Sequence, residues 1–221
     1  PMKRVIGIIS IAMLTLAFAG CEHQTPTGTE NESFEDAVAQ KAGDVTLAKH
    51  GQIRMYEVTL ENLTPATGPG ASQVFSPPIL SSHHRSIRVF QTGRYASEEL
   101  AMVAEDAVNG PLVDHLQNSR GVFDVVEGGA VIVPGGSSSY VIEANSNHRF
   151  LSLVSMLVNT NDAFVGANTV EFPGNGEKVV YLNSYDAGSE ENTELQAHIP
   201  GPCCGNPGQG NATEEKITLH P

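Results

Sequence analysis

From Tyr56 to Glu61 apolar and polar positions alternate, with Tyr56, Val58 and Leu60 set against Glu57, Thr59 and Glu61. A period of two puts one face in a core and the other in water, so this stretch predicts a half-buried strand. Thr64-Pro65 and Gly68-Pro69-Gly70 break the pattern, and Ile87, Val89 and Phe90 mark another short extended piece. The period changes over Ala96 to Val108. Ser97 suits a helix cap, Glu98 and Glu99 fall in the first turn, and Leu100, Val103, Ala104 and Ala107 recur at helical spacing. Asn109-Gly110-Pro111 ends that helix, and Pro111 opens a second helical turn through His115. From Gly121 onward the pattern is β: Val122 to Val126, Ala130 to Val133, Tyr140 to Glu143, Phe150 to Val158 and Lys178 to Asn183, each bounded by turn residues. Phe150 to Val158 is apolar on both faces, as in a central strand covered on both sides. Gly174-Asn175-Gly176 reads as a hairpin turn, and Ile217 and Leu219 hint at a last strand. The whole predicts a mainly β fold, a sandwich or barrel, with one or two short helices.

The N-terminal pattern has neither period. Lys3 and Arg4 precede an apolar run from Val5 to Ala19 that ends at Gly20-Cys21. A short cationic start, an apolar stretch below the roughly 20 residues of a membrane-spanning helix, and small residues before a cysteine read as an export signal over residues 1–20. The Ala19-Gly20-Cys21 junction resembles a bacterial lipobox, in which the Cys21 thiol receives lipid and becomes the new N-terminus. The other reading is an ordinary cleaved signal that leaves Cys21 free. Residues 21–50 are polar and lack a sustained apolar period, which suits a flexible tether between lipid and domain. The expected organisation is therefore a signal at 1–20, lipid and tether at 21–50, a domain at 51–200 and a Gly, Pro and Cys-rich segment at 201–221 that packs on it. The exported chain would sit at the bacterial cell envelope, with the membrane as partner through its anchor.

Charge narrows the partners. There are 25 Asp and Glu against 12 Lys and Arg, a net −13, and no Trp. Nucleic acid is excluded on that balance. Loss of residues 1–20 removes Lys3 and Arg4 and no acid, leaving 10 cations against 25 anions, a net −15.

Candidate chemistry concentrates in two stretches, each placed after a strand: Asn159-Thr160-Asn161-Asp162-Ala163-Phe164-Val165-Gly166 and Tyr185-Asp186-Ala187-Gly188-Ser189-Glu190-Glu191. If the two strands are neighbours, Asp162, Asp186 and Glu190 meet at one end of the fold. Hard carboxylate oxygens on irregular loops suit calcium, which takes six to eight oxygens including carbonyls and water. Without a cation the three acids repel one another. The plainer reading of loop acids is a solvated surface. Asn161 and Asn183 read as turn formers before ligands.

These two stretches resemble motifs of the spondin N-terminal domain found in F-spondin and mindin, in which one strand ends in a Pro-Ser-Pro-Asp-Trp-Phe-Val-Gly type motif and a later one runs into Tyr-Asp-Ala-Gly-Thr-Asp. The likeness extends through the Tyr56-to-Asn62 strand, Phe75-Ser76-Pro77-Pro78, Ala96-Ser97-Glu98 and Gly135-Gly136, over residues 52–200. It implies an antiparallel β-sandwich similar to C2 domains that binds calcium through Asp162, Asp186 and Glu190. It further implies a non-enzymatic extracellular module, for adhesion or for a carbohydrate, lipid or protein ligand. Two positions depart from the motif: Ala163 stands where the family has Trp, and Glu190 where it has Asp.

Other residues offer less. With Cys21 assigned to lipid, only Cys203 and Cys204 remain. A vicinal disulfide ranks first in an oxidising compartment, with an intermolecular bridge or a soft-metal pair as alternatives. His83-His84 reads as an exposed surface pair rather than a transition-metal site. No hydrolase elbow, zinc helix or phosphate loop is present. The competing functions are an envelope hydrolase that uses the same loop acids, and a purely structural surface lipoprotein.

Overall fold

The computed structural model describes residues 5–14, 52–67, 73–193, 195–201 and 207–220. Cys21, the tether, Cys203 and Cys204 lie outside the described residues. The alternation at Tyr56 forms β2 (Arg54–Asn62), with Tyr56, Val58 and Leu60 buried and Glu57 and Glu61 exposed. It pairs antiparallel with β5 (Ser137–Ala144) on one edge and β1 (Val5–Leu14) on the other. The remaining strands are β3 (Ile79–His83), β4 (Val122–Glu127), β6 (Phe150–Met156), β7 (Ala163–Glu171), β8 (Glu177–Asp186) and β9 (Thr218–Leu219). The order across the antiparallel sheet is β4-β3-β6-β7-β8-β1-β2-β5, with β9 added to β8. The sheet curls until its two ends meet, where the backbone N–H of Glu143 in β5 donates to Asp124 Oδ2 in β4 at 2.8 Å. The mainly β, C2-like sandwich expected from the sequence is thus formed as one nearly closed sheet.

Strand β8 makes the corner. Its first part, from Glu177 to Asn183, pairs with β1, and its last part, from Asn183 to Asp186, pairs with β7 from Ala163 to Gly166. Consequently β7 and β8 are joined by a wide connection through Gly174-Asn175-Gly176, not by a tight hairpin.

Two apolar clusters fill the fold. One lies inside the curled sheet and takes Ile9 and Ile11 from β1, Val58 and Leu60 from β2, and Leu151 and Leu153 from β6. The second lies under the helices and takes Val154, Phe164 and Ile217 from the sheet side. Odd positions of β6 therefore face one cluster and Val154 the other, which is why that strand is apolar on both faces. Helix α1 (Glu98–Asp106) begins at Ser97, whose Oγ accepts from the N–H of Leu100 at 3.2 Å, and buries Leu100, Val103 and Ala104. Helix α2 (Gly110–Gln117) carries Pro at its start and buries Leu112 and Leu116.

The structure departs from the sequence reading in several places. Residues 1–20 were expected to stand apart from the domain, yet Val5–Leu14 is seated in the sheet between β8 and β2, with Ile9 and Ile11 fully buried. An uncharged run rich in Ile satisfies an export signal and a doubly covered strand equally well, and periodicity does not separate them. Ala130 to Val133 contributes only a bridge from Ile132 to Phe75, and the stretch from Ile87 to Phe90 joins no ladder. Strand β7 replaces what reads as a loop after Asn159. Its alternation is obscured by Gly166 and by a register irregularity opposite Leu151 and Leu153. Finally, His83 is not exposed: it lies in β3 with no accessible surface, its Nδ1–H donating to the carbonyl of His84 at 2.9 Å and its Nε2 2.8 Å from Ser152 Oγ. Of this pair, His84 is the exposed member.

Candidate metal centre

The three acids singled out in the sequence are carried to one end of the sheet by β7 and β8. Ala163 pairs directly with Asp186, so Asp162, one residue before β7, stands beside the end of β8. Gly166 secures this register. A methyl group there would lie 2.8 Å from the ring of Phe90, which packs edge-on to Phe164 at 5.1 Å and against Tyr185 at 4.8 Å. The Phe-Val-Gly part of the motif is thereby a packing device beneath the acids. Ala163 is buried in the inner cluster, so its replacement of the family's Trp is a change within the core.

Asp162 is 1% exposed. Its Oδ2 accepts from the backbone N–H groups of Ser189 at 2.9 Å and Glu190 at 3.0 Å, and its backbone carbonyl accepts from Ala187. Its Oδ1 is buried and has no hydrogen-bond partner. A buried carboxylate oxygen left without a donor is costly unless a cation or proton meets it. Glu190 is 8% exposed, and its carboxylate lies against the backbone of Gly210, where any side chain would collide with it. Asp186 is held differently, its Oδ1 accepting from the N–H of Gly188 at 2.7 Å and its Oδ2 from Asn192 Nδ2 at 2.8 Å. The structure thus brings Asp162 and Glu190 together with Asp186 at the margin, committed to its own loop.

Two acids absent from the sequence reading join them. Glu105 and Asp106 end α1 on the same side, and Asp106 Oδ1 accepts from the N–H of Gly208 at 3.1 Å. On a helix they look like ordinary solvated charges. Their one sequence signal is position, since acids in the last turn oppose the helix dipole and α1 has no basic residue there.

The electrostatics follow from this crowding. Burial pushes Glu190 up to about 7, with the charges of Glu105, Asp162 and Asp106 adding to it. Burial likewise raises Asp162, with Asp186 adding, against the pull of the Glu190 and Ser189 N–H groups. Glu105 is raised by burial first and by Asp106 and Asp162 after it. Among the described residues no group of three acid, His or Cys side chains already stands at metal-ligand spacing. The orphaned Asp162 Oδ1 is nonetheless an unmet buried acceptor of the kind a cation satisfies.

A pH dependence follows for the metal-free chain. Between the ordinary value of 4.5 and about 7, folded Glu190 holds a proton that the unfolded chain has released. Stability from this group is therefore full below pH 4.5 and is lost as pH rises to about 7. His83, lowered chiefly by burial, works in the opposite sense below its ordinary 6.5. The comparison of wild type with Glu190→Gln isolates the acid. In chelator, the wild-type melting temperature relative to the variant is expected to be higher at pH 5 than at pH 7.5. A pH-independent difference contradicts the assignment.

Beside the acids runs a polar cleft of about 200 Å³, lined by Asn161, Asn192, Thr193, His198 and His220 among others.

With this geometry in hand, comparison with known families is decisive: the family model Spondin_N matches residues 54–199. The chain belongs to the spondin N-terminal domain family. This is a family of extracellular domains and not one of known enzymes. No curated protein matches the chain. The spondin match runs from β2 to the 3-10 turn at Gln196–His198 and so takes in the acid end and most of the cleft, while β1 lies outside it.

Proposed function

We propose that this spondin domain is a non-enzymatic calcium-binding module, exported and held at a bacterial envelope by lipid on Cys21. The observation that carries the calcium reading is the buried, unpartnered Oδ1 of Asp162, set among Glu190, Glu105 and Asp186. Asp162 and Glu190 would hold the ion with Asp186 and backbone or water oxygens completing six to eight ligands. The ion would neutralise the crowded end and fix the loop after β8. That loop supplies Asn192 to the polar cleft, so ion binding and a contact surface for an extracellular carbohydrate, lipid or protein share one wall. A hydrolytic role for the same acids is disfavoured by the burial of Asp162, which no substrate could reach.

The calcium reading is tested by melting the chain in chelator and in calcium, with Asp162→Asn as the control, as argued below. For the anchor, Cys21→Ser is expected to move the protein from the membrane fraction of the expressing bacterium to the soluble fraction. Retention in the membrane fraction contradicts lipidation.

A further inference from the structure

We propose that His83 is a proton-operated latch on the loop from His84 to Gly93. Uncharged, it closes a chain of hydrogen bonds that ends on the Phe90 backbone; protonated, it releases that loop from the sheet. The inference does not depend on the calcium reading.

The latch is built around a bulge. Between Leu151 and Leu153 of β6 the pairing with β7 slips, so that Asn168 and Thr169 stand together opposite Ser152. Thr169 sits at a φ of 58°, a left-handed backbone that a β-branched residue rarely adopts, and its N–H donates to Ser152 Oγ at 3.1 Å. The bulge ties the middle of the loop to the sheet: Asn168 Nδ2 donates to the Phe90 carbonyl, and Thr169 Oγ1 to the Ile87 carbonyl at 3.5 Å. Ser152, 1% exposed, joins this bulge to fully buried His83, its Oγ lying 2.8 Å from Nε2 and 3.0 Å from Asn168 Oδ1. Because Nδ1 holds a proton for the carbonyl of His84, neutral His83 leaves Nε2 to accept the Ser152 proton. A second proton on the ring makes Nε2 a donor and turns the hydroxyl to Asn168, so the hydrogen bonds suit either state. The charge is what the site cannot hold, since a buried imidazolium without an anion costs far more than one rearranged hydrogen bond. The loop itself brings His84, Arg85 and Arg88, Arg120 precedes β4, and His148 and Arg149 precede β6. The nearby acids are engaged elsewhere: Asp124 of β4 accepts from the N–H of Glu143, and Glu171 of β7 pairs with Arg149. Burial accordingly holds His83 below its ordinary 6.5, with Arg88, His148 and His84 adding to it, against the pull of the His84 carbonyl. Release unseats Phe90, whose ring packs on Phe164 and Tyr185 beneath the acid end.

The test is residue-resolved amide exchange of the full chain from pH 7.5 to 4.5, taken as protection so that intrinsic rates cancel, beside the NMR titration of the His83 ring. Wild type, His83→Gln and, as a control at the exposed neighbour, His84→Gln are compared. The Gly93 and Thr169 amides donate to Ile217 and Ser152. In wild type and His84→Gln their protection is expected to begin falling below pH 6.5 and to be about tenfold lower at pH 5. In His83→Gln it should stay constant. Amides of the β2–β5 ladder should keep their protection throughout, which separates loop release from global unfolding. Glu190 cannot imitate the effect, because its titration adds stability as pH falls. A His83 ring that titrates at or above 6.5, constant protection in wild type, or the same loss in His83→Gln overturns the latch. Should His83→Gln fail to fold, wild type alone decides: the loss must begin below 6.5 and cease where the His83 ring titrates, and a loss set at any other pH contradicts the latch.

Discussion

Removal of residues 1–20 is expected to lower the melting temperature of the chain by more than about 10 °C. Val5–Leu14 is hydrogen-bonded along both edges, to Met55–Asn62 of β2 and to Glu177–Asn183 of β8, and Ile9 and Ile11 are fully buried in the inner cluster. Losing two such side chains costs about 2–5 kcal/mol each when only truncated to Ala, so about 4–10 kcal/mol is lost before the two broken ladders are counted. In a domain of this size each kcal/mol is worth about 2–4 °C. Two open strand edges would remain as sites for unwanted pairing. The second cluster, under α1 and α2, contains no residue of β1, so the chain lacking residues 1–20 keeps the packing beneath the acid end. The measurement is the thermal unfolding of residues 1–221 beside residues 21–221. Because processing before Cys21 would remove β1, the same comparison sets the precursor beside the anchored form. Equal melting temperatures would show that Val5–Leu14 serves only as a leader and adds nothing to the fold.

Patterns confined to a few neighbouring residues were legible in the sequence. Tyr56, Val58 and Leu60 announced β2, Ser97 and Leu100 announced α1, and the apolar faces of Leu151 to Met156 announced a strand covered on both sides. Features that depend on distant partners were not. Val5–Leu14 is apolar without period, so its chemistry fits a membrane-directed leader as well as a buried strand, and only pairing with β2 and β8 distinguishes them. His83 looked exposed beside Ser82 and Arg85, because nothing local reveals that Ser152 reaches it from β6. At the site, the motif residues Asp162 and Glu190 did converge. Asp186 turned out to be held by Gly188 and Asn192 of its own loop. Glu105 and Asp106 were not singled out because their nearness to Glu190 depends on how α1 packs over the sheet, which helical spacing does not encode.

Calcium is expected to raise the melting temperature of the full chain by roughly 2–8 °C at about 5 mM. Extracellular calcium modules bind at about 10⁻⁴ to 10⁻³ M, so that concentration stands about 5- to 50-fold above the dissociation constant. A ligand specific to the folded state then adds about 1–2 kcal/mol, or those few degrees. The gain has a structural source: the ion meets the orphaned Asp162 Oδ1 and offsets the repulsion among Asp162, Glu190 and Glu105. Asp162→Asn keeps an oxygen for the N–H groups of Ser189 and Glu190 while removing the charge, so it should fold and lose the calcium increment. Magnesium at the same concentration should give a smaller shift, since it demands a regular octahedron that loop acids do not offer.

The most direct measurement is isothermal titration of calcium into the chelator-stripped full chain at pH 7.5, beside Asp162→Asn. Binding to one site with a dissociation constant at or below about 1 mM, abolished in Asp162→Asn, is the result predicted. No binding heat in wild type together with an unchanged melting temperature at about 5 mM calcium, or equal binding by Asp162→Asn, would contradict it.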